Sequence, residues 1–169
     1  MKKIYFAGKF NKIKDHSLSL EKQLVNDFRS QLLGSSRLLT YATDNLIINN
    51  QFIYTGPFYC EQASNGDYTS TDCNIVIDTE FEAVKKSDQI IIVFNESFSV
   101  GSIVELGWAI NLDKEIKIIY QKEKSIYQIK SEYWFAIADA IKRGNKVDIY
   151  QYQNKEDLLP LIKQILEEN

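Results

Sequence analysis

The chain has 169 residues, 44% of them hydrophobic, and 20 Lys+Arg against 23 Asp+Glu leave a formal net charge of −3. That length can bury one core and is too short for two ordinary domains, so a single domain over residues 1–169 is expected. The only short basic runs are scattered ones such as Lys2-Lys3 and Lys85-Lys86, which argues against a nucleic-acid polymer as partner.

The elements follow in chain order. KIYFA (3–7) is rich in β-branched and aromatic residues and predicts a first strand. The opening MKKIYFAGKF starts like a signal peptide, but Lys9 interrupts the apolar stretch before an h-region can form. Residues 18–33 carry apolar positions at helical spacing and stop before Gly34. Residues 40–56 are less regular, with Asn49-Asn50 reading as a turn between two short extended pieces. From 56 to 71 the chain is rich in turn formers and has no period, which predicts a long loop able to shape a binding site. A helix is expected over 72–86, capped by Ser70 or Thr71.

QIIIVF (89–94) is an unbroken apolar run, the mark of a strand covered on both faces, and it predicts the centre of the sheet. Helix 101–112, strand EIKIIY (115–120), helix 132–143 ending at Gly144, strand KVDIY (146–150) and helix 156–166 complete the pattern. Alternation of this kind implies an α/β fold: a doubly wound, mainly parallel five-stranded sheet with helices on both faces, flavodoxin- or Rossmann-like. No run reaches the roughly 18 apolar residues of a membrane span, so a soluble, cytoplasmic protein with no membrane partner is expected. Cys60 and Cys73 make no disulfide framework, and with a single histidine they make a poor metal site. Reduced thiols and no metal are the expectation.

In such a sheet ligands bind beyond the carboxyl ends of the strands, where the chain switches sides. Three loops therefore draw attention, after strand 3–7 (Gly8, Lys9, Phe10), within 55–71, and after strand 89–94, and the last leads into SFSVGSIVELGWAI (97–110), where Glu105 is the one acid in a small and apolar run. One account needs no function. Ser102-Ile-Val-Glu105 fits a capping box, with Glu105 reaching back to the backbone N–H of its cap. The other starts the helix at Ser99 or Val100 and puts Glu105 in the second turn, with Gly101 and Ala109 on its own face leaving a concavity. Ser97, Ser99, Gly101 and Ser102 would then surround a helix N-terminus that favours an anion or a sugar hydroxyl.

The pattern Ser99-x-Gly101-x-x-x-Glu105-Leu106-Gly107-x-Ala109, with Ile4-Tyr5-Phe6-Ala7-Gly8 at the start, resembles the nucleoside 2-deoxyribosyltransferases and the related deoxynucleoside 5′-monophosphate N-glycosidases. KKSDQIIIV (85–93) and GNKVDIYQY (144–152) extend the likeness more loosely, and the loop 55–71 has no match. The resemblance implies that Glu105 is the nucleophile that holds the sugar as a glycosyl ester, and that Tyr5 orients it. Glu80 falls where the family has an aspartate that meets the nucleobase, and Phe10 where an apolar residue packs on the base. Ser99 takes the place of the group that binds the 5′ end of the sugar, and Gly8, Lys9, Gly101 and Ser102 lie in the same substrate-binding loops. The chain departs from the hydrolases in having Lys9-Phe10-Asn11 where they carry a serine and an arginine for phosphate.

The chemistry suits these roles, since N-glycosidic cleavage builds positive charge on the sugar and a carboxylate at the anomeric carbon stabilises it. The expected activity is cleavage and transfer of the glycosidic bond of 2′-deoxyribonucleosides through a glycosyl-glutamate. Hydrolysis of deoxynucleoside monophosphates, cleavage of NAD, and a non-catalytic nucleotide-binding module are the alternatives. The substrate would be a small nucleoside or nucleotide, with no cofactor required. The resemblance also implies a homo-oligomer, a dimer or larger, through the helix that carries Trp134 and Phe135. Each role has an ordinary counterpart: Tyr5 as a core aromatic, Glu80 on a solvated helix face with Glu82, Lys85 and Lys86, and Phe10 as packing under a loop.

Overall fold

The computed structural model describes residues 1–9, 17, 27–34, 46–57, 70–94, 99–122 and 134–168. Six strands form one sheet: β1 (Lys2–Gly8), β2 (Leu46–Ile48), β3 (Phe52–Gly56), β4 (Gln89–Phe94), β5 (Glu115–Gln121) and β6 (Val147–Tyr152), in the order β2-β3-β1-β4-β5-β6. All neighbours are parallel except β2 and β3, which pair antiparallel with Leu46 opposite Tyr54 and Ile48 opposite Phe52. The sheet therefore has one strand more than the five expected. Asn49 and Asn50 take positive φ values of 48° and 55°, so the two extended pieces of 40–56 fold back on each other as a hairpin.

Among the described residues five helices cover the sheet: α1 (Phe28–Leu33), α2 (Ser70–Lys86), α3 (Val100–Asn111), α4 (Trp134–Arg143) and α5 (Lys155–Glu167). α2 begins at Ser70, two residues earlier than expected, and takes in the end of the stretch expected to be loop. Residues 18–26 of the expected first helix lie outside the described residues. α1 and α5 pack on one face, where Phe28, Leu33, Leu158, Ile162 and Ile165 meet Ile4, Phe6, Ile91, Val93 and Ile119. On the other face α2, α3 and α4 bring Ala83, Val84, Leu106, Ala109, Ile137 and Ala140 onto Tyr5, Ile90, Ile92, Ile116 and Ile118. Successive residues of β1 thus serve opposite layers, Ile4 and Phe6 one, Tyr5 and Ala7 the other. All six residues of β4 are buried, as its unbroken apolar run requires.

This topology fixes where chemistry can be done. The chain leaves β1, builds β2 and β3 to one side, then crosses to build β4 on the other, so the switch lies between β1 and β4. Tyr5 is on β1, and α3, which carries Glu105, follows β4. At the opposite rim a separate ionic network ties the strand starts together. Lys2 and Lys146 contact Glu115 at 2.7 and 2.8 Å, and buried Lys117 lies 3.6 Å from Asp148 and 3.3 Å from the Tyr150 hydroxyl.

Candidate active site

α3 starts at Val100, and its cap is Ser99, whose backbone is extended (φ −115°, ψ 100°) and whose Oγ accepts from the Ser102 amide at 3.5 Å. Ser102 Oγ donates to the same oxygen at 3.0 Å. The start one turn earlier disposes of the capping box, because Glu105 now lies in the second turn. It turns inward, 6% exposed, and accepts a hydrogen bond on Oε1 from the Tyr5 hydroxyl at 2.5 Å. Tyr5 is fully buried beneath it.

Glu80, on α2, brings a second carboxyl to the same place and hydrogen-bonds Glu105. Burial, and then the negative charge of Glu105, push the Glu80 carboxyl up to about 8. Glu105 is also raised by burial, against which work the Tyr5 hydrogen bond, the Arg29 charge and the Glu80 hydrogen bond. Two carboxyls this close cannot both ionise at low cost, so at neutral pH Glu80 keeps the proton and donates it toward Glu105. Tyr5 is raised well above its usual value by burial and by Glu105, and stays a neutral donor.

Other expected site residues are placed as follows. Gly8 ends β1 with φ +154°, and a Cβ there would stand 3.1 Å from the Val93 carbonyl oxygen and 3.3 Å from the Phe28 ring. Lys9 follows it, exposed. Phe10 and Ser97 lie outside the described residues. Gly101, one turn before Glu105, is exposed, and no described atom lies within 4 Å of where its Cβ would be. The structure thus brings Tyr5, Glu80 and Glu105 together, with Ser102 one turn back along α3 and Ser99 at its cap.

Three neighbours escaped the sequence reading. Gly56, at the end of β3, is required by close approach: a Cβ would fall 2.9 Å from the Tyr5 ring and 3.1 Å from Ala83 Cβ. Tyr54 is buried and donates from its hydroxyl to the Pro57 carbonyl. Arg29 is fully buried, in a two-pronged ion pair with Asp27. The last had no signal in the sequence, where Asp27 and Arg29 fall inside the helical pattern of 18–33 and the start of α1 at Phe28 is seen only in the structure.

A carboxylate held by a phenol beside a protonated carboxyl can attack a carbon centre on one side and supply a proton on the other. A cavity of about 330 Å³ elsewhere, lined by residues such as Leu32, Ile48, Phe52 and Lys163, contains none of these groups. Among the described residues no cluster of His, Cys, Asp and Glu suited to a metal occurs, and no helix is long and apolar enough to cross a membrane.

No protein-family model matches the chain, and no curated protein matches it in sequence. Comparison with solved structures is informative. The chain shares the fold of a CMP N-glycosidase. That protein, BcmB of Clostridium botulinum, superposes with a TM-score of 0.53 at 15% identity, over 97% of this chain and 99% of its own. A conserved protein from Enterococcus faecalis V583 gives 0.48 at 16% identity, over 98% and 99% of the two chains. At 15% identity the likeness to BcmB establishes the α/β architecture.

Proposed function

We propose that the chain cleaves the N-glycosidic bond of a 2′-deoxyribonucleoside or its monophosphate, with Glu105 as nucleophile. The reading rests on one observation above the rest, the 2.5 Å hydrogen bond from Tyr5 to a buried Glu105 that Glu80 also contacts. The sequence resemblance and the shared fold with a CMP N-glycosidase support it.

Glu105 attacks the anomeric carbon as the carbon–nitrogen bond breaks, and the bonding pair leaves with the base. Glu80 gives its proton to the base nitrogen, for which a carboxyl raised to about 8 is suited at neutral pH. To do so it releases Glu105, which frees the carboxylate at the moment of attack. The product of this step is a glycosyl ester on Glu105. Water then attacks the same carbon and returns its proton to Glu80, so that free sugar leaves; an incoming base in place of water gives transfer. Tyr5 holds one carboxylate oxygen throughout and so fixes the direction of the other.

Hydrolysis of the monophosphate is the favoured second form, because Ser99 and Ser102 put two hydroxyls at the N-terminus of α3, where a phosphate is stabilised. Deoxynucleosides and their monophosphates, incubated with and without adenine, separate the forms by chromatography. New nucleoside means transfer, and free sugar or sugar phosphate regardless of adenine means hydrolysis. Mass spectrometry of the trapped protein should find sugar on Glu105, and Glu105→Ala should abolish product. If Glu105→Ala binds nucleotide normally and the wild type turns over none of the panel, the protein is a binding module and the proposal fails. We also propose a homo-oligomer, which α4 supports by exposing Phe135 (86%) and Ile141; sedimentation of wild type and Phe135→Asp tests it.

A further inference from the structure

Strand β3 stops early beside β1. Its last pair is Tyr5 with Gly56, and Pro57 brings no N–H to continue the ladder. β1 runs on to Gly8, still paired with β4. The carbonyls of β1 past Tyr5 on the β3 side therefore need another donor. Arg29 is that donor. Its Nη1 donates to Phe6 O at 3.2 Å and to Gly8 O at 3.0 Å. Asp27 holds the guanidinium in place, accepting Nε on Oδ1 at 3.0 Å and Nη2 on Oδ2 at 2.9 Å, while Oδ1 also accepts the Arg29 amide at 2.8 Å. Asp27 is itself 1% exposed.

The positive charge of Arg29 draws Glu105 and Glu80 toward the ionised form, and Asp27, 2.9 Å from the guanidinium, offsets part of it. Among the described residues the groups around the two glutamates are thus Tyr5 on β1, Tyr54 on β3, each carboxyl for the other, and Arg29 backed by Asp27. An arginine cannot be discharged at any pH the protein survives, so its effect is constant.

We propose that Arg29, forked by Asp27, is a positioning residue of the site: it takes the place of β3 at the end of β1 and sets a fixed positive charge toward Glu105. Its consequence for rate rests on the glycosidase reading; its electrostatic content does not. Held this way, the end of β1 keeps Tyr5 under Glu105 beyond the point where its pairing with β3 ends. A lysine has the charge but cannot bond two carbonyls and both oxygens of Asp27 together.

The test compares wild type, Arg29→Lys and the neutral pair Asp27→Asn/Arg29→Gln, which keeps hydrogen-bonding groups at both positions. Carboxyl carbon-13 NMR follows the titration of Glu105 and Glu80, a readout that needs no turnover. In the neutral pair the Glu105 transition should move up, and Arg29→Lys, which keeps the charge, should move it by less than half as much. If the protein turns over a nucleoside, the acidic limb of kcat should move by the same amount, with KM changed less than about threefold. Unmoved carboxyl titrations in a folded neutral pair, or a loss of activity that appears only in KM, would overturn the proposal. Should the neutral pair not fold, Arg29→Lys decides: a Glu105 transition shifted by a full unit despite the retained charge overturns it, and an unshifted one supports it. Absence of turnover with normal NMR shifts would sink the glycosidase reading and leave this one standing.

Discussion

Replacing Glu80 by glutamine should make the protein more stable at alkaline pH while weakening its chemistry. The Glu80 carboxyl is raised from 4.5 to about 8, so the folded chain holds this proton more tightly than the unfolded one. The sign follows from linkage: ionising Glu80 inside the fold costs nothing below pH 4.5, costs progressively more as pH rises toward 8, and costs its full amount above that. At about 1.4 kcal/mol for each tenfold change in proton affinity, the ceiling is about 5 kcal/mol. Glu80 is half-buried, and solvent relaxation around it brings the expected gain for Glu80→Gln to about 1–3 kcal/mol at pH 9. Glutamine suits the test because its amide can still donate to Glu105. Urea denaturation at pH 4.5, 7 and 9 measures the difference directly: the variant should match wild type at pH 4.5 and exceed it increasingly above. A gap that stays constant with pH would mean that Glu80 does not hold its proton in the fold, and the assignment of Glu80 as the acid would go with it.

Tyr5→Phe removes the 2.5 Å hydrogen bond to a buried carboxylate; a loss of about 1.5–3 kcal/mol from the transition state is expected, a fall of roughly tenfold to 150-fold in single-turnover rate at unchanged fold. Gly56→Ala drives a methyl to 2.9 Å from the Tyr5 ring at a φ of +154°, and denaturation should show a cost of about 1–3 kcal/mol together with reduced turnover. Gly107→Ala is the contrast, since no described atom lies within 4 Å of the added methyl inside α3; a gain of about 0.5–1 kcal/mol is expected in the same assay. Ser99→Ala should cost about 1 kcal/mol by unfolding, as loss of a helix cap does.

The sheet was legible wherever burial is two-sided. QIIIVF could only be central, and β1, β5 and β6 followed from β-branched runs separated by helical periods. The β2–β3 hairpin was harder, because three residues of β2 leave no period to read and the reversal depends on two asparagines accepting positive φ. Glu105 was visible as an acid out of keeping with its neighbours. Its direction was not, because a one-turn difference in helix start decides between a capping box and an inward carboxylate. Arg29 was hidden for a different reason: in sequence it is one charge within a helical pattern, and its burial depends on β3 stopping at Gly56 while β1 continues.

The ionic network around Glu115 has a practical meaning. Lys2, Lys117 and Lys146 fasten the starts of β1, β5 and β6 at the rim where no chemistry is proposed. Stiffness is thereby concentrated at one end of the strands. Residues at the far end can be exchanged to suit a different substrate while the fastening below stays untouched, which makes the scaffold a promising starting point for laboratory evolution.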